Sequence, residues 1–116
     1  MITHADISER IALRRLAQSI GEIREASSDL TLQAAHMFLL IAVQPGITSK
    51  EIIRETGFSQ SSCSRNLAML SKIHRLGKPG LDLVTAEEDP AERRRKALRL
   101  TSKGKELAAR LADIHK

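Results

Sequence analysis

The residues able to do chemistry fall in two places. One is Ser59-Gln60-Ser61-Ser62-Cys63-Ser64-Arg65, with Lys72 a short way on; the other is Arg93-Arg94-Arg95-Lys96. Serines can contact phosphates or bases, and an arginine can make a paired contact to guanine. The chemistry this suggests is recognition of a polyanion. Catalysis has no comparable support. His4, His36, His74 and His115 are scattered without metal-ligand spacing. No Ser/His/Asp grouping carries a supporting motif. Ser102-Lys103-Gly104-Lys105 lacks the preceding glycine spacing of a phosphate loop. The sequence is therefore read as non-enzymatic, with no cofactor and no metal.

The elements that must position these residues can be read from Ile47 to Ile73. Thr48 with Glu51 three residues on has the spacing of a capping box, so a short helix starts there. Gly57 tolerates a positive φ and allows a sharp turn. Ser59 is the natural N-cap of a second helix. On that helix Cys63, Leu67, Leu70 and His74 share one face. Ser61, Arg65, Ala68 and Lys72 lie opposite, flanked by Ser62, Ser64 and Met69. A front of small and polar side chains with two cations suits entry into a DNA major groove, as in a helix-turn-helix. The bland reading is two core helices with a solvated face. Cys63 falls inward, where a free cysteine behaves as a small hydrophobe, and a redox switch is the lesser reading.

Composition narrows the choice. A chain of 116 residues is one domain. Its apolar residues are mostly Leu, Ile and Ala, with two Phe and no Trp or Tyr, which favours helix packing over a base-stacking surface. One cysteine makes no internal disulfide and fits a reducing cytoplasm. The first residues carry charges where a signal peptide needs an apolar run, and no stretch has the length of a membrane span. The net charge of +5 is one-sided: residues 1–58 balance at −1 and residues 59–116 at +6. A basic excess confined to the half that holds the second helix is the footprint of a polyanion partner.

The rest of the chain reads as a frame. Asp6 with Glu9 predicts a capping box and a helix from about Ile7 to Ala26, with Ile7, Ile11, Leu16, Ile20 and Ile23 as one apolar stripe. Thr31 caps a helix from Leu32 to Val43 that is apolar almost all round and belongs at the centre, with His36 at the core or its boundary. Pro45-Gly46 ends it. Leu81 to Ala86 and Lys96 to Thr101 alternate like two strands of a hairpin, turning at Pro90. Thr101 caps a last helix, Ser102 to Ile114, with Leu107, Leu111 and Ile114 in a stripe. Four helices, a basic hairpin and a helix make a winged helix-turn-helix: mainly α with a small β-hairpin. Arginines at the hairpin tip could reach the minor groove, where negative potential concentrates.

Asp89-Pro90-Ala91-Glu92-Arg93-Arg94, then Leu98, then Leu100-Thr101-Ser102-Lys103-Gly104 resembles the wing signature of the MarR family of bacterial winged-helix regulators. Leu30-Thr31 with Gln33, Ile47-Thr48 and Ser59 to Arg65 resemble that family's core and recognition helices. The resemblance runs from about Leu30 to Gly104. It implies a homodimer whose first and last helices interlock, residues 7–26 and 102–115 here, around a DNA-binding unit of residues 31–101. The implied interface is Ile7, Ile11, Leu16, Ile20, Leu107, Leu111 and Ile114. The implied DNA contacts are Ser59, Gln60, Ser61, Ser62, Ser64, Arg65, Lys72, Arg93, Arg94 and Arg95. One of Arg93 and Arg94 should enter the minor groove while the other pairs with Asp89. The function implied is a sequence-specific regulator of transcription, a repressor on a pseudo-palindromic operator. The alternative is a winged helix that binds protein, as an adaptor or a modulator of another DNA-binding complex. The chain departs from the family in stopping about a helix short, in a longer link from His74 to Gly80, and in having few aromatic residues for a phenolic ligand pocket.

Overall fold

The computed structural model describes residues 3–73, 77–92 and 95–116. Its elements are α1 (His4–Ala26), α2 (Leu32–Val43), α3 (Ser49–Thr56), α4 (Gln60–Leu70), β1 (Val84–Glu88), β2 (Lys96–Leu100) and α5 (Ser102–Ile114). The helix starts follow from side chains that satisfy first-turn amides. Thr31, Thr48, Ser59 and Thr101 each accept a hydrogen bond from the backbone N–H three residues on. Thr48 and Glu51 form the full reciprocal box. Gly57 ends α3 at φ +76° and turns the chain directly into α4.

Three boundaries differ from expectation. The first helix begins at His4, because Thr3 takes the cap and Asp6 is the third residue of the box; their two reciprocal bonds are each 3.1 Å. Helix α4 stops at Leu70, with Ser71 extended behind it at ψ 172°, so Lys72 does not continue the helical front. The first strand starts at Val84. The amides of Leu81, Asp82 and Leu83 are bonded to the carbonyls of Met69, Ser71 and Leu70, which ties this segment to the end of α4 before the hairpin begins.

Helix α2 is the centre, with Met37, Phe38 and Ile41 fully buried. Ile47, Ile52, Cys63, Leu70, Leu83, Val84 and Leu98 close round it from the helix-turn-helix and the wing, and Leu107 and Leu111 from α5. The hairpin pairs Val84 with Leu100 and Glu88 with Lys96 in antiparallel register. A lone hairpin is marginal, and this one has a third partner. Gly46 N–H donates to Leu98 O at 2.8 Å, and Leu98 N–H to Ile47 O at 2.9 Å. The stretch ahead of α3 thus pairs with the free edge of β2 and fixes the wing against the helices. At its other end the wing is joined to α5. Thr101 donates its hydroxyl to Asp82 O at 2.6 Å and its amide to Leu83 O at 3.0 Å.

Helix α1 packs on α5 only through its second half. Arg110 pairs with Glu22 at 3.2 Å, and Ser19 Oγ lies 2.7 Å from His115 Nε2. Its buried residue is Ile23, whereas Ile7, Ile11, Leu13, Leu16 and Ile20 are all about half exposed (46–56%). They do not form the single stripe that spacing suggested. At about 100° per residue, Leu16 lies about 140° round the helix from Ile11. Ile7 and Ile11 make one short patch, and Leu13, Leu16 and Ile20 another that runs on into Ile23. The last-helix stripe differs more. Leu107 and Leu111 are 1% and 6% exposed, and Ile114 packs against the same core. These side chains are consumed by the chain's own interior and offer a second subunit little surface.

Candidate nucleic-acid interface

The front of α4 is built from its N-terminus. Ser59 accepts from Ser62 N–H and donates to Ser62 Oγ, both at 3.0 Å. Arg65 leans back over the same hydroxyl at 3.4 Å. The hydroxyls of Ser59 and Ser62 are therefore engaged in shaping the helix start. Gln60, Ser61, Ser64 and Arg65 are the exposed members of the front. Behind them Cys63 and Leu70 face the core as expected, Leu67 is half-buried, and Asn66, a polar residue, is buried at 7% exposure. Met69, read as a flank of the front, instead packs against the core. His36 is exposed and sits edge-on to Phe58, with ring centroids 5.7 Å apart.

The wing turn is organised by Asp89. Its Oδ2 accepts from both Nε and a terminal nitrogen of Arg95, at 2.9 and 2.8 Å, and its Oδ1 accepts from Ala91 N–H at 2.9 Å. Backbone bonds from Asp89 N–H to Arg95 O and from Arg95 N–H to Glu92 O close the loop. The Ala91 amide first, and then Arg95, hold the Asp89 carboxyl below its ordinary range. The side chain that grips Asp89 is thus Arg95, which the sequence pattern had assigned to DNA. Arg93 and Arg94, expected to divide that task with the minor groove, lie outside the described residues.

Wing and helix-turn-helix share one surface. An open cleft of about 500 Å³ lies among Ser49 and Lys50 of α3, Leu67 of α4, and Ala86, Arg95 and Lys96 of the wing. A second, lined by Lys50, Gln60, Cys63, Ser64 and Leu67, adjoins it through Ser49, Lys50 and Leu67. Glu51 reports the same proximity. Its carboxyl is lowered chiefly by the bonds from Thr48, with Arg95 and Arg54 adding attraction. Lys50 is a cation of this surface that the sequence reading did not include; it becomes visible only when α3 and the wing are brought side by side. Lys72 is exposed beyond the end of α4. Cys63 is buried, and desolvation raises its thiol, partly offset by a hydrogen bond with Ser49. That environment disfavours the thiolate a redox switch needs. Among the described residues no cluster of His, Cys, Asp or Glu could hold a metal, and no helix is long and apolar enough to cross a membrane.

Residues 28–72 match the family model described as MarR family. No curated protein matches the sequence. Among solved structures, MarR superposes with a TM-score of 0.64 at 24% identity, over 97% of this chain and 76% of that one. A Staphylococcus aureus MepR mutant bound to an oligodeoxyribonucleotide superposes at 0.70 with 19% identity, over 99% and 78%. The transcriptional repressor CouR bound to a 23-mer DNA duplex superposes at 0.64 with 23% identity, over 97% and 72%. The chain therefore has the winged-helix fold of the MarR-type regulators, and its central segment, α2 through α4, carries the MarR family pattern.

Proposed function

We propose that this protein is a sequence-specific regulator of transcription that binds double-stranded DNA as a homodimer, acting as a repressor on a pseudo-palindromic operator. The observation that carries the reading is convergence. Gln60 and Ser64 of α4, Lys50 of α3, and Arg95 and Lys96 of the wing line two adjoining clefts, where a protein-binding wing would have no need to gather its cations. The excess of positive charge in residues 59–116 points the same way. Two structures of this fold, MepR and CouR, were solved bound to DNA. Gln60, Ser61, Ser64 and Arg65 are assigned to base edges and nearby phosphates, and Lys50, Lys96 and the wing arginines to the backbone. Homodimerisation is assigned to α1, whose exposed Ile7, Ile11, Leu13, Leu16 and Ile20 are a poor surface to leave in water.

The test is binding to DNA from the protein's own upstream region, with scrambled duplex as competitor, at low and moderate salt. Site-specific, salt-sensitive binding is expected, since phosphate neutralisation releases counterions. Binding without sequence preference would reduce the protein to an architectural role. A folded sample that binds no DNA at low salt would overturn the reading in favour of a protein-binding adaptor.

A further inference from the structure

Asn66 is the one polar side chain of α4 that is buried, and three hydrogen bonds hold it, using both of its amide hydrogens. Its Nδ2 donates to Ser62 O at 2.8 Å and to Gln33 Oε1 at 3.0 Å, and its Oδ1 accepts from the Thr31 hydroxyl at 2.8 Å. The polarity of this network is determined from one end. Ser62 O is a carbonyl and can only accept, so the amide nitrogen of Asn66 must face it. The second hydrogen on that nitrogen then requires an acceptor from Gln33, which is Oε1. Thr31 Oγ1 gives its proton to Asn66 and accepts from Ala34 N–H at 3.0 Å. It follows that the Gln33 side-chain NH2 is turned away from Asn66. Gln33 is exposed, so a donor pair, locked in orientation from within, is presented to solvent beside α4 at the level of Asn66.

We infer that Gln33 is a phosphate-contacting residue of the DNA interface, held donor-outward by Asn66 as its positioning residue. This rests on the DNA-binding reading above. Side-chain amides are common donors to the phosphate backbone, where they set register without reading sequence. The buried bond does more than orient Gln33. Because Asn66 also holds Ser62 O, the contact is rigidly coupled to the first turn of the recognition helix. A phosphate held by Gln33 would thus fix how α4 sits in the groove.

The experiment is fluorescence-anisotropy titration of a labelled upstream-region duplex and a scrambled duplex, over a salt series, with wild type, Gln33→Ala, Gln33→Glu and Asn66→Leu. Gln33→Ala is expected to weaken both duplexes alike by about 2- to 10-fold, with no change in salt slope, because a neutral donor displaces no counterion. Gln33→Glu keeps an acceptor for Asn66 but replaces the outward donor with a carboxylate oxygen. It should weaken binding more than alanine, most at low salt, while the thermal melt stays at the wild-type value. Asn66→Leu, if folded, should lose as much affinity as Gln33→Ala, and the double variant no more than either. Gln33→Glu binding as tightly as wild type would overturn the inference while leaving the regulator reading intact. Wild type that binds neither duplex would overturn both.

Discussion

At the scale of single residues, the wing depends on a geometry only arginine supplies. Arg95 meets Asp89 with two nitrogens of its planar group, and a lysine has a single point charge to offer. Arg95→Lys is therefore expected to behave like Arg95→Ala, weakening DNA binding although the charge is kept; parallel titrations of the two variants check this. Arg65 differs, being held only by a 3.4 Å contact to Ser62 and otherwise free to read a base. Arg65→Ala should cost about 1–3 kcal/mol at the specific site and relax sequence preference at one position. Equal affinity for the specific site would remove Arg65 from the recognition face. Acid should act through the capping carboxylates. Asp6, Glu51 and Asp89 all lie below their ordinary ranges because they accept hydrogen bonds in the folded chain. A lowered carboxyl contributes stability that is present above its unfolded value and lost as pH falls through the folded one. Thermal melts should accordingly stay flat through neutral pH and begin to drop as pH falls into the usual carboxylate range, continuing to fall below it.

At the scale of elements, the joint between wing and last helix is a place of close backbone approach. A Cβ on Gly104 would lie 2.1 Å from Leu83 O, a backbone atom with no rotamer to move aside. Gly104→Ala should thus push α5 off the wing and destabilise the protein by about 1–3 kcal/mol, the usual range for overpacking, although alanine is the better helix former. Chemical denaturation of the two proteins measures it; an unchanged midpoint would mean the joint yields. The same junction explains the glycine in the wing signature, where Thr101 caps the helix and Gly104 lets its first turn close on the preceding segment.

At the scale of the whole molecule, α1 sets the shape, which measures 58 × 28 × 25 Å, and it carries the surface assigned to a second copy. Leu16→Glu or Ile20→Glu, at half-exposed positions, should give folded monomers by sedimentation and abolish binding to a palindromic site. Leu107→Glu should instead unfold the chain, because that side chain is 1% exposed and a carboxylate there would be buried without a partner. In the proposed dimer, two α4 helices should lie about 34 Å apart, one turn of DNA.

Local chemistry was legible in the sequence wherever a few adjacent residues decide it. The caps at Thr31, Thr48, Ser59 and Thr101 and the turn at Gly57 follow from side chains satisfying backbone within three or four residues, and the order of four helices, a hairpin and a helix was legible with them. Periodicity failed where it was asked to name a partner. It marked Leu107 and Leu111 as apolar but could not say that the core of the same chain takes them, since burial is decided by what packs opposite. It passed over Asn66 and Gln33, 33 residues apart, because a polar pair joined across two helices leaves no local pattern. Nor could the sequence say which arginine grips Asp89, because three consecutive arginines are equivalent until a turn points Arg95 at that carboxylate. Sequence by itself determined which segments become helices, where four of the five start, and that half of the chain is cationic. Tertiary structure decided which cations share a face, which apolar side chains remain outside, and which polar group is locked within, because those are properties of elements brought together from distant parts of the chain.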